Sequence, residues 1–161
     1  MNNQLLDETK KHWQQLRGRT YDLLDELSQE DLARRLPFPE AQSLYYQFWC
    51  MLGAQESWPP LLTRGVFEGF ASSLDELDEQ PPTIAAIKQY MAAADERLFE
   101  VLESGVLLRR FDNGSTPLSH YLRLVEHEAH HHGQLINLIY AHHLPIPQSW
   151  ADEWALTREE R

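Results

Sequence analysis

Apolar residues return every three or four positions over four stretches of the chain, the spacing that gives a helix one buried face. Between residues 3 and 27 the stripe is Leu5, Leu6, Trp13, Leu16, Leu23, Leu24 and Leu27, with Asp, Glu, Lys and Gln filling much of the rest. Ser28 followed by Asp31 predicts the cap of a short helix through Arg35, stopped by Pro37 and Pro39. A second long helix starts with Ser43 as N-cap and runs through LYYQFWCMLGAQES, rich in aromatic residues and therefore largely buried. Pro59 and Pro60 end or kink it.

Residues 65–80, with Gly65, Gly69 and an acidic run, read as a long connection of the kind that tends to be functional or mobile. The third long helix begins at Thr83 after two prolines. Its stripe is Ile84, Ile87, Tyr90, Met91, Ala94, Leu98, Val101 and Leu102, and Gly105 is its stop. Thr116 as N-cap and Pro117 as first helical residue open the fourth, which runs to about His142 before Pro145 and Pro147. A tail with Trp150 and Trp154 is expected to fold back on the rest. No strand-like alternation of useful length and no internal repeat is found. The pattern predicts one all-α domain over 1–161, a four-helix bundle with a short extra helix and a packed C-terminal tail.

Composition narrows the class of partner. Hydrophobic residues at 42% and charged residues at 24% exclude a disordered chain. A net charge of −11, with 14 basic residues spread among 25 acids, argues against nucleic acid. Cys50 is the single cysteine, so no intramolecular disulfide forms, which fits a reducing cytoplasm. The first residues are amphipathic and charged, without a leader's apolar stretch, and no run is long enough to span a membrane.

Seven of the eight histidines lie between His120 and His143, and this changes the picture. His127 and His131 are four apart on one helix, where two imidazoles can reach the same metal ion. Gln134 lies on the same face, and His120 two turns earlier on a similar one, while His130 and His132 point elsewhere. Two ligands do not complete a site, so a third must come from another helix. Residues 127–131 also read as H-E-x-x-H, the zinc-hydrolase signature in which Glu128 would be the general base. That motif belongs beside a sheet and with a downstream third ligand, and this chain predicts no strands.

The segments HEAHHHGQLINLI (127–139), CMLGAQESW (50–58) and the ending LPIPQSWADEW resemble the DinB/YfiT-like family of four-helix metal-binding bundles. The resemblance implies a metal triad of one histidine from the second long helix and two from the last. His127 and His131 match it, and the remaining position falls on Cys50. A thiolate with two imidazoles is a good zinc set that leaves a coordination position open, and nickel is the alternative ion. Cys50 could equally be a small core residue. Gln134 could hydrogen-bond a ligand histidine or satisfy a backbone carbonyl, and Glu128 is the other candidate to support the ligands. Gly53 and Gly133 are expected where helices approach closely.

The resemblance further implies a low-molecular-weight thiol as cosubstrate, transferred to an electrophilic small molecule, and a homodimer. A permanent cysteine ligand donates more charge than histidine and softens the metal's acidity. The competing expectation is a non-catalytic, stress-related bundle that binds a ligand or partner beside a degenerate metal site.

Overall fold

The computed structural model describes residues 3–159. Within them the chain forms six α-helices, two short 3-10 turns and no strand. Helix α1 (Asn3–Glu26) buries Trp13, Leu16, Leu23 and Leu24. Helix α2 (Leu44–Ser57) starts where the Ser43 side chain accepts the amide N–H of Tyr46, a cap worth about 1 kcal/mol. After Trp58 the chain restarts as α3 (Pro59–Arg64), with both prolines in the first turn, where the helix needs no amide donors. Helix α4 (Ile84–Ser104) is capped by Thr83. Helix α5 (Pro117–Ala141) opens with a reciprocal cap between Thr116 and Ser119.

Two predicted elements take a different form. The expected helix at 28–35 is a 3-10 turn, Gln29–Ala33, held by Ser28 N–H and Oγ–H donating to Asp31 Oδ2. The tail contains a two-turn helix, α6 (Gln148–Trp154), which packs on α1. Trp150 is fully buried there and its indole N–H donates to the Arg19 carbonyl at 2.6 Å.

Helices α1 and α2 each pack against both α4 and α5, which gives the order α1–α4–α2–α5 around the bundle. The interior holds two apolar clusters. One is built on Leu23, Leu24, Phe48, Met51, Met91, Leu135 and Trp150, and the other on Trp13, Leu16, Leu98, Leu102, Tyr121 and Leu124. Between them along α1 and α5 stand Arg17 and Thr20, and Glu128, His131 and His132, all buried. A polar layer therefore divides the core at the level of the histidine cluster.

The 65–80 connection is fastened to α2. Phe70 lies on Gly53, where an added Cβ would sit 2.3 Å from Phe70 Cζ. Trp49 Nε1–H donates to Asp75 at 2.8 Å, and the Ser73 amide and hydroxyl both donate to Glu56. Gly53 thus admits a ring from a loop rather than a neighbouring helix. Gly133 is exposed and a Cβ there would meet open space, so close helix approach explains neither glycine. No helix among the described residues is long and apolar enough to cross a membrane.

Candidate metal centre

Within the first two turns of α2, Gln47 and Cys50 face His131 and His127 of α5, the helix α2 packs against most extensively. Cys50 Sγ lies 3.6 Å from His127 Nε2, and His127 Nε2 lies 3.3 Å from His131 Nε2. All three donor atoms fall within 4.8 Å of one another. A four-coordinate zinc with nitrogen at about 2.0–2.1 Å and sulfur at about 2.3 Å has N–N edges near ~3.3 Å and N–S edges near ~3.6 Å. The two short separations match those edges, so the donor set fits a tetrahedral ion in chemistry and in the two edges that meet at His127.

Gln47 prepares the pair. Its side chain is almost fully buried, and its Oε1 stands 2.7 Å from His131 Nδ1. The amide Nε2–H donates to the Ser43 carbonyl, which leaves the oxygen to accept from the imidazole. His131 therefore carries its proton on Nδ1 and turns an Nε2 lone pair toward His127 and Cys50. His127 Nδ1 is buried without a hydrogen-bond partner among the described residues.

Burial, with the neighbouring histidines, pushes His131 down to about 3, so it is a neutral ligand at ordinary pH. Burial also lowers His127, against a pull from Glu128 in the other direction. The Cys50 thiol is pushed up by burial, and a hydrogen bond with Tyr46 only partly offsets this. Without a cation the thiol keeps its proton, and binding a metal must release it.

The other candidate residues lie elsewhere. Gln134 Nε2 is 2.8 Å from Nε2 of the exposed His130, and among the described residues Gln134 hydrogen-bonds to neither ligand imidazole. His120 is hydrogen-bonded to Ser115 Oγ at 2.8 Å, away from the cluster. Glu128 is turned into the polar layer: Oε1 lies 3.0 Å from Arg17 Nε, Oε2 accepts from Arg17 Nη2 at 3.1 Å, and Oε1 accepts from the Thr20 hydroxyl at 2.7 Å. A carboxylate so committed is not free to act as a general base, and with no strand among the described residues the H-E-x-x-H reading loses both its base and its context.

The polar layer extends beyond Glu128. Asp95 Oδ1 lies 4.0 Å from Arg17 Nε, and Asp95 accepts from Trp13, Gln55 and Tyr21 at 2.6–2.8 Å. His132 Nε2 is 2.8 Å from the Thr20 hydroxyl and its ring packs on Trp150. Burial, and then the charges of Arg17 and Arg19, push His132 down to about 3. Gln47, Arg17 and Asp95 were not singled out from the sequence. Gln47 and Arg17 fall inside apolar stripes (Leu44–Gln47–Phe48–Met51, and Trp13–Arg17–Thr20–Leu24), and that placement is the signal that could have found them.

Residues 1–142 match the profile of the DinB family. This chain belongs to that family. The fold is similar to that of a DinB-like protein from Bacillus subtilis, YjoA, whose crystal structure aligns with a TM-score of 0.64 at 19% sequence identity. The alignment covers 88% of this chain and 98% of that one, and at such identity it speaks for the fold alone. No curated protein matches. Family membership and the His/Cys cluster are together compatible with metal binding by this DinB-family chain.

Proposed function

We propose that this DinB-family protein is a divalent-metal-dependent S-transferase that joins a low-molecular-weight thiol to an electrophilic small molecule. The metal's protein ligands are Cys50, His127 and His131. The observation that carries the reading is the convergence of their three donor atoms from α2 and α5, with the His131 tautomer set by Gln47.

A divalent ion at this position supplies Lewis acidity that keeps a thiol deprotonated near neutral pH, and zinc suits the sulfur-containing ligand set best. The chain's own residues do the rest. Gln47 holds the Nδ1 proton of His131 and so keeps Nε2 available. The two imidazoles are neutral, so Cys50 would be the one anionic protein ligand once a bound ion had displaced its proton. Tyr46, Trp49 and Phe70 form a chain of ring contacts, at 5.3 and 4.9 Å, along the α2 surface next to Cys50. Such a shelf keeps water from part of the site and offers an apolar face to the electrophile. In the transfer the thiol loses its proton to solvent and a sulfur–carbon bond forms as a carbon–halogen or epoxide carbon–oxygen bond breaks, its electron pair leaving with the halide or staying on the alkoxide, which takes a proton from solvent.

The test is thiol consumption by zinc-loaded protein, with a panel of small thiols against a haloalkane or epoxide. Consumption above the uncatalysed rate, abolished by a chelator and by His131→Ala, supports the reading. A fully loaded protein that consumes no thiol across the panel points instead to the non-catalytic ligand-binding bundle.

A further inference from the structure

We propose that the pocket where the 36–42 segment meets α2 and α5 is a binding subsite for an uncharged or cationic, amide-bearing molecule of about dipeptide size. The pocket has a volume of about 340 Å³, at the small end of the roughly 300–1,000 Å³ typical of ligand sites. Its wall includes Gln47, the residue hydrogen-bonded to His131, and Gln134, which lies one helical turn beyond His131 on α5. The pocket therefore lies behind the His131 imidazole, on its Nδ1 side, and its lining includes none of Cys50, His127 and His131.

Its lining determines what it accepts. The polar groups are carboxamides, from Gln42, Gln47, Gln134 and Asn137, and the single charged residue is Glu40. Gln47 has its oxygen on His131 and an N–H on Ser43, so it is spent on the protein. Gln42 and Asn137 make no side-chain hydrogen bond among the described residues, and each offers two N–H donors and a carbonyl acceptor. A molecule with both donors and acceptors, such as a peptide-like amide, can pair with them. A phosphate or a second carboxylate would meet Glu40, while the nearby Arg35 guanidinium donates to the Ala41 carbonyl. Phe38, half exposed at the rim, gives an apolar cover. This inference rests on the metal-centre reading only for the role of Gln47 on His131, and not for the pocket's own recognition.

The experiment is calorimetric titration of zinc-loaded protein with two thiols, N-acetylcysteine amide and coenzyme A, in wild type, Asn137→Leu and Gln42→Leu. N-acetylcysteine amide is expected to bind, and each variant to weaken it by about three- to tenfold, the loss of a neutral hydrogen bond, with zinc per chain unchanged. Coenzyme A is expected to bind at least about tenfold more weakly, as anionic groups facing Glu40 require. Unchanged affinity in both variants, or equal binding of coenzyme A, overturns the proposal. If the protein takes up no zinc, the metal-centre reading fails by itself. S-methyl-N-acetylcysteine amide titrated onto zinc-free protein then decides the pocket by the same comparison of variants.

Discussion

Replacing Arg17 by methionine should destabilise this protein more than replacing its ion-pair partner Glu128 by glutamine. Arg17 and Glu128 are both 1% exposed and are joined by two close contacts, and Asp95 Oδ1 lies 4.0 Å from the same guanidinium nitrogen, Nε. The layer thus holds one cation between two carboxylates. Burial works against the charge on Arg17, but Glu128 and Asp95 outweigh it and hold the guanidinium charged. Without Arg17, Glu128 keeps only the Thr20 hydroxyl as a strong donor, and stranding a buried charge in this way costs about 3–5 kcal/mol.

Glu128→Gln leaves Arg17 facing Asp95. At about 4 Å and an effective dielectric of about 20 that attraction is still of order 4 kcal/mol before desolvation. The loss should therefore be nearer the ~1.5–3 kcal/mol of a charged hydrogen bond. Urea unfolding followed by far-UV circular dichroism gives both values, and at about 2–4 °C per kcal/mol the melting temperatures separate too. The double variant Arg17→Met/Glu128→Leu removes both charges and should recover much of the loss. Equal costs for the two single changes, or a double variant as unstable as their sum, would refute the picture of one cation shared by two acids.

Three further outcomes follow from single contacts. Gln47→Leu removes the acceptor for His131 Nδ1–H and should weaken metal binding by about 10–100-fold, read by competition with a chromophoric chelator, while Gln47→Glu should bind at least as tightly as wild type. Gly53→Ala should destabilise by about 1–3 kcal/mol through collision with Phe70; in a Phe70→Ala background the same change should stabilise by up to about 1 kcal/mol, the helix preference for alanine, and a thermal melt that shows no change of sign rejects the packing assigned to that ring. At Asp31, burial raises the carboxyl's affinity for a proton, but hydrogen bonds from Arg34 and Ser28 outweigh it and leave the group below its ordinary value. Its contribution to stability is then present above the unfolded value of about 3.9 and is lost as pH falls through the lower folded one, so Asp31→Asn should flatten the acid limb of a stability–pH curve.

Much of the architecture could be read from local chemistry. Ser43, Thr83 and Thr116 are caps whose hydrogen bonds close within three residues, and Pro59, Pro60 and Pro117 act through their own rings. Such signals need no knowledge of the tertiary fold. The form of the 28–35 segment did need it, since Ser28 and Asp31 cap a 3-10 turn as readily as an α-helix. Helix α6 escaped because its seven residues carry too few turns for periodicity, and Trp150 is placed by a carbonyl on α1.

At the site, the i, i+4 spacing identified His127 and His131 as a pair on one face. That spacing also made Gln134 attractive as a support, as the H-E-x-x-H motif did Glu128, and the fold turns one toward His130 and the other toward Arg17. Gln47, eighty-four positions from His131, could not be paired with it without the packing of α2 on α5.

The central claim is a metal held by one sulfur and two imidazoles, and bound metal per chain tests it most directly. Protein purified without a histidine tag, as wild type, Cys50→Ala and His131→Ala, is analysed for zinc and nickel by elemental analysis. A Cys-His-His site should hold about one ion per wild-type chain, zinc rather than nickel, lost or strongly weakened in both variants. No metal in the wild type even after reloading, or full retention in Cys50→Ala, would contradict it.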